Sequence, residues 1–121
     1  RHEGTVKETL GRLCEQALPL DEERRREAIV WITLSAAAAS HPDLATAHRR
    51  GLELFTALLA GIIEAGRARG EVSGSVSPGP AAAVLVAVVD GLTLQGIVQL
   101  GEDRPADLLA IVGFAVDALL G

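Results

Sequence analysis

The stretch PDLATAHRRGLELFTALLAGIIEAGRARG, residues 42–70, decides the fold class of this 121-residue chain. Pro42 suits the first turn of a helix, where its missing N–H costs no hydrogen bond, and Gly70 suits the position just past a helix end. Between them apolar residues recur every three or four positions for about six turns, as one face of a helix requires. The stripe consists of Leu44, Ala47, Gly51, Phe55, Leu58, Ile62 and Ala65. It predicts one long amphipathic helix from Pro42 to Arg69.

Four further helices are predicted on either side of this one. Apolar spacing and end signals place them at Thr5–Ala17, Asp21–Ser40, Pro80–Leu100 and Pro105–Leu120. The segment Glu71–Pro80 is rich in Gly, Ser and Pro and has no periodicity, so a loop is predicted there. Aromatic residues make up only 2% of the chain, which weakens any case for a sheet. The fold class predicted is all-α, a single domain of about five helices.

Three of these helices are apolar on more than one side. The second is apolar nearly all round from Ala28 to Ala39, which predicts that it is buried in the core. The fourth and fifth carry more apolar surface than a chain of this size can easily bury. A second copy of the chain is therefore expected to cover one side of both helices.

Charge and cysteine usage exclude several function classes. The formal net charge is -5, which gives no electrostatic footprint for a nucleic acid or an anionic membrane. Cys14 is the only cysteine, so neither an internal disulfide nor a cysteine-rich zinc site can form. The apolar run Ala81–Leu100 has Asp90 at its middle, and a charge at the centre of a bilayer costs about 2.5 to 3.5 kcal/mol. We expect a soluble helix and a reduced, cytoplasmic setting.

The sequence carries no recognisable reactive site. His2, His41 and His48 have no metal-ligand spacing, and solvated or capping roles are expected for them. No phosphate loop, nucleophile with its base, or paired carboxylates can be assembled with helix-compatible spacing. The interleaved charges of Glu22–Glu27 are expected to form a solvated face. We predict a protein without enzyme activity, cofactor or metal.

Four pieces of sequence, in this order, resemble the C-terminal domain of TetR-family transcriptional regulators, in particular the choline-repressor-like branch. The first is Trp31 following an Arg/Glu-rich helix start, and the second is HPDLA at His41–Ala45. The third is EAGRARGE at Glu64–Glu71, and the fourth is VVDGLTLQG at Val88–Gly96. The resemblance extends over about residues 18–120.

This resemblance implies a two-part protein. An N-terminal helix-turn-helix, upstream of this chain, would read operator DNA, and the present domain would bind a small effector and form a homodimer. The last two helices would pack against their two-fold mates as a four-helix bundle. The expected function is that of a repressor released by a small apolar ligand. The alternative is a purely structural dimerisation module without a ligand.

The helical stripes supply candidate residues for both roles, although the pocket candidates could equally fill the core. The predicted ligand-binding residues are Trp31, Thr33, Leu34, Phe55, Leu58, Leu59, Ile62 and Thr93. The predicted dimer-interface residues are Val84, Val88, Leu92, Gln95, Gln99, Ile111, Phe114 and Ala118. Asp90 and Gly91 are expected to have a structural role, with the glycine allowing a neighbouring helix to approach closely.

Overall fold

Five helices account for most of the computed structural model, which describes residues 4–98 and 104–121. They are α1 (Val6–Ala17), α2 (Glu22–Ala38), α3 (Pro42–Ala68), α4 (Pro78–Val98) and α5 (Arg104–Leu120). No strand occurs in these two described ranges. The all-α prediction is therefore confirmed. The predicted end of the fourth helix at Leu100 and the predicted site residue Gln99 lie outside the described residues, as does His2.

The first helix begins with a capping box. The Thr5 hydroxyl accepts the Glu8 N–H at 3.1 Å, and the Glu8 carboxylate accepts the Thr5 N–H at 2.7 Å. Two N–H groups that would otherwise lack partners at the helix start are satisfied in this way. The Glu71 carboxylate also accepts the Val6 N–H at 2.9 Å, which fixes the start of α1 against the segment that follows α3.

The end of α3 forms a Schellman motif. Gly70 has a φ of 81°, the left-handed region that glycine adopts without strain. The Glu71 N–H donates to the Gly66 carbonyl at 2.9 Å, and the Gly70 N–H donates to the Arg67 carbonyl at 3.1 Å. The helix therefore ends where Gly70 predicted that it would.

The fourth helix begins two residues earlier than predicted. Pro78 and Pro80 both lie in its first turn, and the Ala81 N–H donates to the Ser77 carbonyl at 3.0 Å. Proline is tolerated there because the first N–H groups of a helix have no partner within it. The predicted loop at Glu71–Pro80 is thus shorter than expected.

One hydrophobic core lies between α1, α3, α4 and α5, and α4 contributes most to it. Seven residues of α4 are buried: Ala81, Ala82, Leu85, Val86, Val89, Leu92 and Thr93. By length and composition α4 is the one described helix that could cross a membrane. Its buried side chains pack instead against Leu10, Leu59 and Leu108 of the neighbouring helices. This packing is that of the core helix of a bundle.

The prediction that α2 is buried in the core was wrong. Ala28 is the only residue of this helix that is buried, while Val30 is 58% and Leu34 44% exposed. The helix packs on α3 and α4 through one narrow side, which carries Ala28, Trp31 and Ser35. A helix that is apolar on all sides is buried only if neighbouring helices cover all of its sides. In this structure α3 and α4 cover only one side of α2.

Replacing Gly66 by alanine is expected to destabilise the fold. A Cβ at this buried position would lie 2.7 Å from Val6 Cγ2 and 2.9 Å from Val72 Cγ2, closer than carbon atoms can approach. Such overpacking costs about 1 to 3 kcal/mol of unfolding free energy. The matched control is Gly11→Ala in α1, where the new Cβ meets nothing within 4 Å and the variant should gain up to about 1 kcal/mol. Urea unfolding of both variants measures the difference, and equal effects would contradict the packing argument.

Candidate functional site

A cavity of about 320 Å³ lies between the end of α1 and the helices α2, α3 and α4. It is partly open to solvent and mostly apolar. The lining residues are Gln16, Ala17, Arg24, Glu27, Ala28, Trp31, Gly51, Leu52, Phe55, Val86, Val89, Asp90 and Thr93. Small-molecule sites in proteins occupy roughly 300 to 1,000 Å³, so this cavity is at the lower end of that range.

Helical spacing explains how α4 forms one wall of the cavity. Val86, Val89, Asp90 and Thr93 follow one another at intervals of three, one and three residues, which puts all four on one side of the helix. Phe55 of α3 lies opposite, with Leu52 one turn before it. The wall formed by α2 carries Ala28, whose small side chain leaves the space open.

Trp31 is held in the cavity wall by a small polar network. Its ring stacks on the His48 ring with centroids 4.5 Å apart and an interplanar angle of 21°. The Ser35 hydroxyl donates to the Trp31 carbonyl at 2.8 Å. Since that hydroxyl has a single hydrogen, His48 Nε2 is the donor in the 2.7 Å bond to Ser35 Oγ. A solvated or capping role was expected for His48, and this was wrong: the imidazole is half-buried between two helices.

Asp90 is the carboxylate whose ionisation the cavity changes most clearly. Burial raises the pKa of Asp90 above its ordinary value, while a hydrogen bond from the Trp31 side chain and the positive charge of His48 lower it. Burial is the largest of these effects. The folded protein therefore binds a proton on Asp90 more tightly than the unfolded chain does.

Asp90→Asn is expected to increase stability, and the gain should grow with pH. A raised pKa means that the stabilising contribution of protonated Asp90 is complete below the unfolded pKa and is lost as the pH rises through the folded pKa. Asparagine removes this loss because it stays neutral. Thermal unfolding at about pH 4 and about pH 7 should show the larger gain in melting temperature at the higher pH. Glu53→Gln on the exposed side of α3 is the control, and a gain that did not depend on pH would contradict the effect of burial.

Thr93 connects α4 to the end of α1. It is only 2% exposed, and its hydroxyl donates to the Val89 carbonyl at 2.7 Å and lies 3.2 Å from the Ala17 carbonyl. Its single hydrogen is already shared between protein carbonyls. Thr93 lines the cavity as predicted, and its hydroxyl has only acceptor capacity left for a ligand.

The charged run at the start of α2 is only partly a solvated face, so that prediction needs correction. Arg25 donates to the Ile97 carbonyl at 3.1 Å and so satisfies a carbonyl in the last turn of α4. Arg24, which lies 3.7 Å from the Asp21 carboxylate, lines the cavity together with Glu27. The cavity is therefore lined by charged side chains, whereas all the ligand-binding residues predicted from the sequence are uncharged.

Three of the predicted ligand-binding residues line the cavity together: Trp31, Phe55 and Thr93. The structure places the other five elsewhere: Thr33, Leu34 and Leu58 are exposed, Leu59 is in the core, and Ile62 packs against the core. The exposed Thr33 hydroxyl donates to the Ile29 carbonyl of its own helix at 2.7 Å. The lining residues Gln16, Ala17, Gly51, Leu52, Val86 and Val89 were not selected from the sequence, and the periodicity of a single helix gave no signal for them.

A second candidate surface is the apolar face that α4 and α5 leave uncovered. On α4 it follows the spacing of one helix side: Val84, Ala87, Gly91, Leu94 and Val98. On α5 it consists of Ala110, Ile111, Phe114 and Ala118. Phe114 is 76% exposed, more than any other large hydrophobic residue among those described. We call this surface the α4–α5 apolar face.

Most of the predicted interface residues lie on or beside this face. Val84, Gln95, Ile111, Phe114 and Ala118 are exposed there, and Val88 is half-buried at its edge. Leu92 is the exception, since it is 6% exposed and packs in the chain's own core. Gly91 is the open position in that turn, because a Cβ added to it would meet nothing within 4 Å.

Comparisons with known proteins agree with this architecture. A profile of the C-terminal domain of BetI-type transcriptional repressors matches residues 6–121. A transcriptional regulator from Rhodococcus sp. Rha1 superposes with a TM-score of 0.87 at 29% identity, over 99% of this chain and 60% of that one. A putative TetR-family transcriptional regulator from Rhodococcus sp. has the same fold, with a TM-score of 0.87 at 22% identity over 97% of this chain and 61% of that one. The chain thus spans about three-fifths of the length of both regulators. No curated protein matches it significantly.

Proposed function

Because the chain belongs to the family of C-terminal domains of BetI-type transcriptional repressors, we propose that it is the effector-binding and dimer-forming part of a TetR-like regulator in the cytoplasm. Its membership confirms the resemblance seen in the sequence. The members are transcriptional regulators, and we propose no enzyme activity for this chain. Operator DNA would be read by an N-terminal helix-turn-helix, since a net charge of -5 suits this domain poorly to a phosphate backbone.

The cavity is the observation that carries the effector-binding role. It has room for a small molecule, and Trp31 and Phe55 offer apolar surface on two of its walls. Asp90 and Glu27 add acceptor groups, so the effector would be mainly apolar with at least one hydrogen-bond donor. A filled core would favour the alternative, a purely structural dimerisation module without a ligand. The open space between α2, α3 and α4 is evidence against that alternative.

The α4–α5 apolar face supports a homodimer through these two helices. Exposed valine, leucine and phenylalanine side chains on two neighbouring helices are costly in water and are typical of a protein interface. Gly91 and Ala87 near the middle of α4 would let the helices of two chains approach closely. Two helices from each chain would form a four-helix bundle.

The two sides of α4 suggest how an effector would act. Val86, Val89, Asp90 and Thr93 face the cavity, while Val84 and Leu94 lie on the face offered to the second chain. A ligand that favours one position of α4 would therefore also favour one arrangement of the dimer. Its effect on DNA binding is limited to the difference between its affinities for the two arrangements. We propose that the effector-bound arrangement releases the operator.

The test uses the natural full-length gene product together with DNA selected by that protein from a random pool. A panel of small apolar molecules with a donor group is first screened by thermal shift on the present domain. Molecules that stabilise the domain are then added to the protein–DNA complex. Weaker DNA binding is expected, and if no stabilising molecule changes the DNA affinity, release by an effector is refuted.

A further inference from the structure

A second apolar stripe runs along the solvent side of α3. Its members alternate at intervals of three and four residues, and all of them are exposed: Leu44, Ala47, Gly51, Leu54, Leu58, Gly61, Ala65 and Ala68. We call this the α3 outer stripe. It extends over about 36 Å of helix at 1.5 Å per residue. The two leucines at its middle, Leu54 and Leu58, are 67% and 49% exposed.

This stripe is not the side of α3 that packs on the bundle. The buried residues of the helix are Leu59, Ile63 and Gly66, which lie on the other side. A surface helix normally presents polar residues to water, whereas α3 presents the three-and-four spacing by which one helix packs against another. Gly51 and Gly61 have open space where a Cβ would stand. Each costs about 1 kcal/mol relative to alanine in an exposed helix, so a closely approaching backbone would explain their presence.

The order of side-chain sizes fits a second copy of the same helix running in the opposite direction. Counted from its centre at the level of residue 56, the stripe reads Leu, Gly, Ala in both directions, and the two directions differ only at its ends. An antiparallel two-fold pairing sets Leu54 against Leu58 of the second copy and Gly51 against its Gly61. Large side chains thus meet at the centre, and the backbones come close on both sides of it.

Charges along one edge of the stripe fit the same arrangement. Arg50 and Glu64 each precede a stripe residue by one position and lie on the same exposed edge. In the antiparallel pairing Arg50 faces Glu64 of the second copy, and the two-fold axis repeats this ion pair. Glu64 now pairs with Arg67 of its own chain at 3.1 Å, and the Glu64 side chain is 59% exposed, so it can turn to a partner on a second copy.

We propose that the α3 outer stripe is a second self-association surface, through which α3 binds α3 of another copy in antiparallel orientation. It lies on a different helix from the α4–α5 apolar face, and one of its residues, Gly51, also borders the cavity. Together the two surfaces assemble dimers into tetramers or larger species, because each is two-fold symmetric and they lie on different helices.

Cross-linking tests the predicted orientation. Ala57 lies beside the proposed axis on the edge shared with Arg50, so two Ala57→Cys chains should be joined readily by a short bis-maleimide. The natural Cys14 does not interfere, because it is buried and burial raises the pKa of its thiol to about 11. Arg49→Cys, which is exposed on α3 but lies off the stripe and its edge, is the matched control. Cross-linking of Ala57→Cys that is no faster than that of Arg49→Cys would overturn the proposal.

Sedimentation of variants in the α3 outer stripe and along its charged edge provides the second test. Leu54→Glu should weaken the α3 association at least about tenfold while the helical circular dichroism stays unchanged, since this side chain already faces solvent. Arg50→Glu should weaken association as well, and the combined Arg50→Glu and Glu64→Arg exchange should restore it. The proposal fails if Leu54→Glu leaves the assembled mass unchanged, or if the exchange variant assembles no better than the single one.

Discussion

Phe114→Glu is expected to abolish association through the α4–α5 apolar face and to leave the chain folded. The phenyl ring is 76% exposed, so its loss removes almost nothing from the chain's own core. In the proposed dimer it would be covered, and an aromatic side chain buries about 150 to 250 Å². The two-fold symmetry doubles the effect, and glutamate adds a charge that must leave water. We expect the dissociation constant to rise about a hundredfold or more.

The measurement is sedimentation velocity in a Leu54→Glu background, which removes the association proposed for α3. There the parent chain should sediment as a dimer and the Phe114→Glu chain as a monomer. Val30→Glu is the matched control, because Val30 is 58% exposed on α2 and away from this face. A Phe114→Glu chain that still dimerises as tightly as the control would show that another surface holds the dimer.

Filling the cavity should separate ligand binding from stability. Ala28 is 5% exposed and lines the cavity, so the ring of an Ala28→Phe variant can enter space that is empty now. Occupied space removes the site, and we expect binding of a small apolar molecule to fall about a hundredfold. Core cavities cost stability, so the same substitution should leave the melting temperature unchanged or raise it. A substitution that abolished binding by disturbing the fold would instead lower the melting temperature.

Fluorescence of N-phenyl-naphthylamine, a neutral apolar probe, measures this effect. Ala36→Phe provides the control, since it adds the same ring to an exposed position two turns further along α2. That variant should bind the probe as the parent chain does. Equal binding by Ala28→Phe and the parent chain would place the probe, and the proposed site, outside this cavity.

Helix ends were predictable because their chemistry is local. Gly70 and Thr5 act through neighbouring backbone groups, and these interactions are implied by residue type and spacing alone. The early start of α4 at Pro78 was missed because two prolines within a Gly/Ser-rich segment are equally typical of a loop.

The rotation of α3 was harder to predict than its ends. The apolar stripe seen in the sequence includes Leu44, Leu58 and Ala65, which the structure places on the exposed side. Leu59 and Ile63, each one position further along than a stripe residue, are buried instead. The helix carries apolar residues on two sides, and spacing alone does not show which side the bundle covers.

The cavity was less predictable because α2 and α4 are apolar on most sides. Such helices can be rotated without changing how hydrophobic their buried side is, so the sequence could not show whether Leu34 or Ala28 faces inwards. The same ambiguity placed Leu92 at the dimer interface although it belongs to the core. Trp31 could be selected from the sequence because it is the only tryptophan in the chain. Its contact with His48 could not be predicted, because it depends on how α2 and α3 pack together and neither helix sequence alone indicates it.

Trp31 is also an intrinsic fluorescence probe of the cavity. It is the only tryptophan, and the chain contains no tyrosine, so the ultraviolet emission of this domain originates at the cavity wall. Its stacking on the His48 ring links this emission to the contact between α2 and α3. Occupancy of the cavity and the packing of α2 on α3 can therefore both be followed on unlabelled protein through the fluorescence of this one residue.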